Sequence, residues 1–267
     1  MAQRETSGDR AARTAAIVAG LAHDYAEAEC ALRHRDAFEL LVATILSAQC
    51  TDARVNLVTP ELFRRWPNAA ALAAAPQAEL EDVVHSTGFF RNKAKNLVGM
   101  ARAVVERHAG RIPDTMDALL ALPGVARKTA NVVLGTWFRK NEGVVVDTHV
   151  GRVARRLALT RHDDPAKVET DLMALLPRAE WTAFSHRVIL HGRRICDARK
   201  PKCAACSLRE LCPSREDEMP QSGAASGVAK PARRGALKSA ATAPSKATSK
   251  ASARTPATTT ARSRKGR

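Results

Sequence analysis

Between about residues 15 and 214 the apolar positions recur almost everywhere at the spacing of one face of an α-helix. Phe38, Leu41, Val42, Ile45, Leu46 and Gln49 fall at i, i+3, i+4, i+7, i+8 and i+11. Ala94, Leu97, Val98, Ala101, Val104 and Val105 follow a similar template, as do Val150, Val153, Ala154 and Leu157. Two further stripes are Val168, Leu172, Leu175, Leu176 and Trp181, Phe184, Val188, Ile189. Breakers separate them: Pro60, Pro67, Pro76, Gly88, Gly110, Pro113, Pro123–Gly124, Pro165 and Pro177. The single strand-like run, Val144–Val146, is too short for a sheet. The pattern predicts an all-α fold of roughly ten short helices. No fixed-period repeat is present, which argues against a solenoid.

The two ends depart from this pattern. Residues 1–13 are polar and are expected to be loose. Residues 215–267 are expected to be disordered, because Ala, Ser, Thr, Pro, Gly and Lys/Arg bury too little apolar surface to offset ordering entropy. Charge sharpens the division. The net charge is +16, yet residues 221–267 hold eleven Lys/Arg and no Asp or Glu, which leaves about +5 for the rest. A basic arm on a mildly cationic body points to nucleic acid as partner; a merely solubilising tail is the alternative. No apolar run approaches the ~18 residues of a membrane span. Arg10 and Arg13 ahead of Ala15–Ala22 faintly resemble a secretory signal, but His23, Asp24 and Glu27 follow at once. A cytoplasmic setting is expected, and it also keeps clustered thiols reduced.

Of the six cysteines, Cys30 and Cys50 stand alone. Cys196, Cys203, Cys206 and Cys212 form C-x6-C-x2-C-x5-C, in which the C-x2-C pair turns two sulfurs toward one centre. Four thiolates suit an all-cysteine zinc site or a cubane iron–sulfur cluster. Zinc ribbons use two such pairs and this chain has one. Disulfides remain the alternative. Lys200, Lys202 and Arg209, with Arg193, Arg194 and Arg199 nearby, can offset the negative charge or present a basic edge to phosphate.

Residues 119–133 read Leu-Leu-Ala-Leu-Pro-Gly-Val-Ala-Arg-Lys-Thr-Ala-Asn-Val-Val. One helix should end near Leu122, turn at Pro123–Gly124, and a second should start around Ala126. This helix-hairpin-helix pattern offers unpaired backbone N–H groups to one backbone phosphate, with Leu122, Gly124, Ala126 and Arg127 as candidate contacts. Lys128 sits in the first turn beyond, where the helix's positive end disfavours further positive charge and suits a nucleophilic amine. A phosphate-binding lysine is the alternative. Asp147, in Val-Val-Val-Asp-Thr-His, reads either as an N-cap or as a carboxylate that stabilises a cation in a pocket, or both.

Taken in order, Leu-Pro-Gly-Val-Ala-Arg-Lys-Thr-Ala-Asn, Val-Asp-Thr-His and C-x6-C-x2-C-x5-C closely resemble the endonuclease III family of DNA glycosylases. Leu46–Asp52 and Thr87–Ala94 resemble further family segments, so the likeness spans about residues 15–214. It implies two helical domains flanking a DNA cleft. One is a six-helix barrel over residues 34–143, with the helix-hairpin-helix at about 115–138. The other is a cluster domain from residues 14–33 plus 144–214. It implies removal of oxidised pyrimidines from double-stranded DNA and cleavage at the abasic site, by a monomer with no membrane association. By the same resemblance Lys128 is the nucleophile, Asp147 its electrostatic partner, and the four cysteines hold one [4Fe–4S] cluster. Gln49 fills the space left by the flipped base, while Phe89 or Phe90 wedges the stack unless both are core residues. Two departures stand out. Ala126 replaces the family's second hairpin glycine, at roughly 1 kcal/mol if the position needs φ > 0 and at little cost if it is already helical, which is the expectation. Phe90 replaces a common tyrosine. A partner for the tail is not legible.

Overall fold

The computed structural model describes residues 5–215, and the expected disordered segment 215–267 therefore lies almost wholly outside the described residues. The described chain is helical and contains no strand; Val144–Val146 is an extended, buried segment that pairs with no other. Its α-helices are α1 (Ser7–Asp24), α2 (Ala37–Leu46), α3 (Asp52–Arg65), α4 (Ala69–Ala73), α5 (Gln77–Val84), α6 (Phe90–His108), α7 (Met116–Leu120), α8 (Arg127–Thr136), α9 (Thr148–Arg156), α10 (Pro165–Leu175) and α11 (Trp181–Arg194). No helix among the described residues is long and apolar enough to cross a membrane.

Local chemistry sets these boundaries. Side-chain oxygens of Thr6, Asp36, Thr51, Asn68, Asp147 and Asp164 cap the first turns of α1, α2, α3, α4, α9 and α10. Three expectations are corrected here. The segment 1–13 is helical from Ser7, because Thr6 and Asp9 form a reciprocal capping box. Arg13 then anchors the helix by donating to the Leu157 carbonyl at 2.6 Å. Pro60 lies inside α3 rather than between helices. Its cost of about 3 kcal/mol is offset by burial of Val55, Thr59, Leu62 and Phe63 along the same face. The helical stripe read as running to Gln49 ends with α2 at Leu46, and Gln49 is exposed in a left-handed conformation with φ 52°.

The apolar interior falls into two clusters. One gathers residues from Leu32 to Leu134 and is built by α2–α8, with Leu40, Leu41, Leu62, Leu80, Leu97 and Met100 fully buried. The other joins Ile17, Leu21 and Tyr25 of the α1 region to residues from Val144 to Leu208. The chain thus starts in the second cluster, leaves to build the first, and returns through Val144–Val146.

Candidate active site and metal centre

The hairpin forms as the sequence predicts. After α7, Gly124 adopts φ +76°. A Cβ there would also lie 2.8 Å from the Asn96 Cβ, so both conformation and space require glycine. Ala126 differs from expectation. It is not helical but extended, at φ −98° and ψ 169°, as the N-cap of α8. Because its φ is negative, alanine carries no left-handed strain. Its methyl cannot cap, so α8 begins with no side-chain acceptor on its first-turn N–H groups. Gly124, Ala126 and Arg127 are exposed. Leu122 is not a surface contact: it is 3% exposed, its N–H donates to Leu119 and its carbonyl accepts from Val125. Its apolar side chain joins the core between the helices.

Arg127 is held from the other cluster. Its Nε lies 3.0–3.1 Å from both carboxylate oxygens of Glu169 on α10, and Asn131 Nδ2 donates to the same carboxylate at 2.8 Å. Two side chains one turn apart on α8 therefore grip one buried carboxylate, which fixes the turn that presents Lys128.

Lys128 and Asp147 line one cavity of about 110 Å³ between the two clusters. Lys128 is exposed, and Asp147 is half-buried. Asp147 Oδ1 accepts from the Val150 N–H at 2.8 Å, so the capping role is realised alongside the pocket position. The extended segment before it is fixed by burial of its valines and by the Val145 N–H donating to Ser185 Oγ at 3.0 Å. The walls include residues that no local pattern had singled out: Glu29, Thr44, Ser185 and His186. Burial pulls His186 below the usual histidine range, with Arg139 adding to and Glu29 opposing that shift. Arg193 on α11 donates to Asp52 Oδ2 at 2.7 Å, an ion pair on the cavity wall between residues 141 positions apart.

The other candidate DNA contacts divide. Phe89 is 65% exposed in a left-handed conformation with φ 49°, directly before α6. Phe90 packs against the first cluster, its ring 4.5 Å from His85, with the Arg91 guanidinium 5.2 Å from its centroid. The outward residue of the pair is Phe89.

Cys196, Cys203, Cys206 and Cys212 line a single space of about 30 Å³ beneath α9 and α11. That exceeds the roughly 10–15 Å³ a water-sized occupant needs. No three His, Cys, Asp or Glu side chains among the described residues converge as the shell of one metal ion. Four sulfurs on one space are the donor set of an all-cysteine metal centre. Burial, and then the charge of the neighbouring cysteines, pushes the Cys206 and Cys212 thiols up. A cationic centre would favour the thiolate form of these two sulfurs. Arg156 Nη1 donates to Cys196 Sγ at 3.2 Å, and His191 Nε2 lies 3.7 Å from Cys206 Sγ. These residues fit an iron–sulfur centre.

Residues 42–178 match the HhH-GPD superfamily base excision DNA repair protein family. The chain is 56% identical over 192 residues to endonuclease III of Synechocystis sp., covering 72% of this chain and 88% of that protein. It is 44% identical to endonuclease III of Bacillus subtilis, covering 70% and 86%. Among solved structures it is similar to a trapped endonuclease III–DNA covalent intermediate with an estranged adenine. That similarity has a TM-score of 0.73 and 41% identity, covering 76% of this chain and 96% of that one.

Proposed function

Because this chain belongs to the endonuclease III family of base excision DNA repair proteins, we propose that Lys128 and Asp147 carry its glycosylase and lyase chemistry. The protein is a base-excision DNA glycosylase and AP lyase. Its substrate is an oxidised pyrimidine in double-stranded DNA. The carrying observation is that an exposed lysine and a half-buried carboxylate, nineteen positions apart in the chain, line one cavity.

The glycosidic bond is inaccessible within a duplex, so the damaged nucleotide must leave the stack. Phe89 enters the stack beside it and Gln49 fills the space it leaves. The uncapped first turn of α8 holds a backbone phosphate through Gly124 and Ala126. The Lys128 amine then attacks C1′ while the C1′–N bond breaks, and the base departs with the bonding pair and takes up a proton. Asp147 stabilises the positive charge that develops on the sugar. Loss of a proton from the lysine nitrogen and opening of the sugar give a Schiff base. The imine acidifies the C2′ proton; its removal expels the 3′ phosphate by β-elimination, and water returns free Lys128. The two apolar clusters are the two lobes of the DNA cleft, residues 34–143 and residues 14–33 plus 144–214.

Cys196, Cys203, Cys206 and Cys212 hold one [4Fe–4S] cluster. When bound, it supplies a rigid four-point tie for the segment after α11. The protein acts as a monomer on cytoplasmic, nucleoid DNA.

Borohydride reduction with a thymine-glycol duplex tests the chemistry: the wild-type chain should form a stable covalent complex and Lys128→Ala should form none. Trapping undiminished in Lys128→Ala would overturn the assignment. Iron analysis with visible absorbance tests the centre, since a zinc–thiolate site is colourless.

A further inference from the structure

Lys93 is the one lysine among the described residues that is buried, at 5% exposure. It lies on α6 four residues after Phe89, on the face that also buries Ala94 and Leu97. Its Nζ donates to the Leu46 carbonyl at 2.9 Å and to the Thr87 carbonyl at 2.7 Å. Leu46 is the last residue of α2, and Thr87 ends the 3₁₀ turn His85–Thr87. Carbonyls at helix ends lack intrahelical partners and favour a cation. Those of Ala43, Thr44, Ile45 and Ser47 receive backbone N–H groups from the following turn, whereas that of Leu46 takes the lysine.

The two carbonyls begin the two probing loops. Gln49 follows Leu46 by three residues and Phe89 follows Thr87 by two. Both are exposed, non-glycine residues in the left-handed region, at φ 52° and 49°. Such conformations persist only where surrounding structure over-determines them. A buried ammonium is costly unless paired. Here burial pulls Lys93 below the usual lysine range, while the nearby Cys50 opposes that shift. A methionine would fill the same space at no electrostatic cost, so the charge is explained by what it holds.

We propose that Lys93 is a positioning residue that locks the Gln49 and Phe89 loops into one rigid probe, so that both residues enter the duplex together when a nucleotide is extruded. This rests on the extrusion roles given above to Gln49 and Phe89.

The test compares base release from thymine glycol in a paired duplex with β-elimination at a pre-formed abasic site, using the full chain. Lys93→Met should slow base release about 100-fold, the scale on which ~1 Å misplacements act. It should leave β-elimination within about threefold of wild type, because the transition-state loss belongs to extrusion. Amide exchange should quicken at residues 46–50 and 86–90 and not elsewhere. Adding Gln49→Ala or Phe89→Ala to Lys93→Met should cost little more, the non-additivity of residues that act as one unit. If Lys93→Met does not fold, Lys93→Gln carries the same comparison: its shorter amide reaches one carbonyl at a time and should show a loss of about tenfold confined to base release. Equal losses on both substrates, or no loss on either, would overturn the proposal. If Gln49→Ala and Phe89→Ala keep full base release, the extrusion roles fail; if they lose it and Lys93→Met does not, only the clamp fails.

Discussion

Asp147 caps a helix and lines the cavity it shares with Lys128, and two substitutions separate the cap from the proposed electrostatic role. Asparagine caps as well as aspartate but carries no charge. Asp147→Asn should therefore keep wild-type stability in urea denaturation while lowering single-turnover base release by about 100-fold. Asp147→Ala should lose a similar rate and also about 1 kcal/mol of stability. Equal rates for Asp147→Asn and wild type would remove the carboxylate from the mechanism. That Lys128 and Asp147 share one cavity, and the four cysteines another, was legible because each sits in a short motif that the family resemblance places in order. Lys93 and Glu169 were not legible. Leu46 lies 47 residues from Lys93 and Arg127 lies 42 from Glu169, and an isolated lysine or glutamate on a helix reads as solvated surface until the fold shows what it faces.

The hairpin between α7 and α8 shows how a turn can be read correctly and one of its residues misread. Pro-Gly between two apolar stripes marked the turn, and Gly124 meets the need for positive φ. Gly124→Ala should cost roughly 1–2 kcal/mol of backbone strain and, through the clash with Asn96, displace the first turn of α8. Fluorescence anisotropy should show weaker binding to abasic duplex. Ala126→Gly should leave that affinity unchanged, since φ at this position is already negative. A gain in affinity would mean that the alanine is a real handicap. Ala126 was expected to be helical because it precedes a helical stripe without interruption. This residue is the extended N-cap, outside the helix proper, and periodicity alone cannot find that one-residue boundary. The same limit explains Gln49: its spacing continues the α2 stripe, but the chain turns out after Leu46, where Lys93 takes the last carbonyl.

For the molecule as a whole, the helical class and its punctuation, Pro60 inside α3 excepted, were readable from the apolar pattern. The partition into two cores was not, because the pattern does not say which stripes meet. The charge asymmetry also acts at this level. Truncation after residue 215 removes eleven Lys/Arg. It should weaken binding to undamaged duplex and flatten the dependence of log K on log salt by about 0.9 for each phosphate that the tail neutralises. Base release at saturating enzyme should hold. An unchanged salt slope would mean that the tail does not touch DNA. Finally, α1 packs its Ile17 and Leu21 into a core completed by Leu208, and Arg10 and Arg13 donate to carbonyls of Leu159 and Leu157. During synthesis, α1 leaves the ribosome long before these partners exist. At elongation rates of ~5–20 residues per second the wait is roughly 10–40 s. In that interval α2–α8 can fold as a unit while an amphipathic helix trails from its leading end with its greasy face bare. The apolar face of α1 is thus the last buried surface of the described residues to find its partners during synthesis.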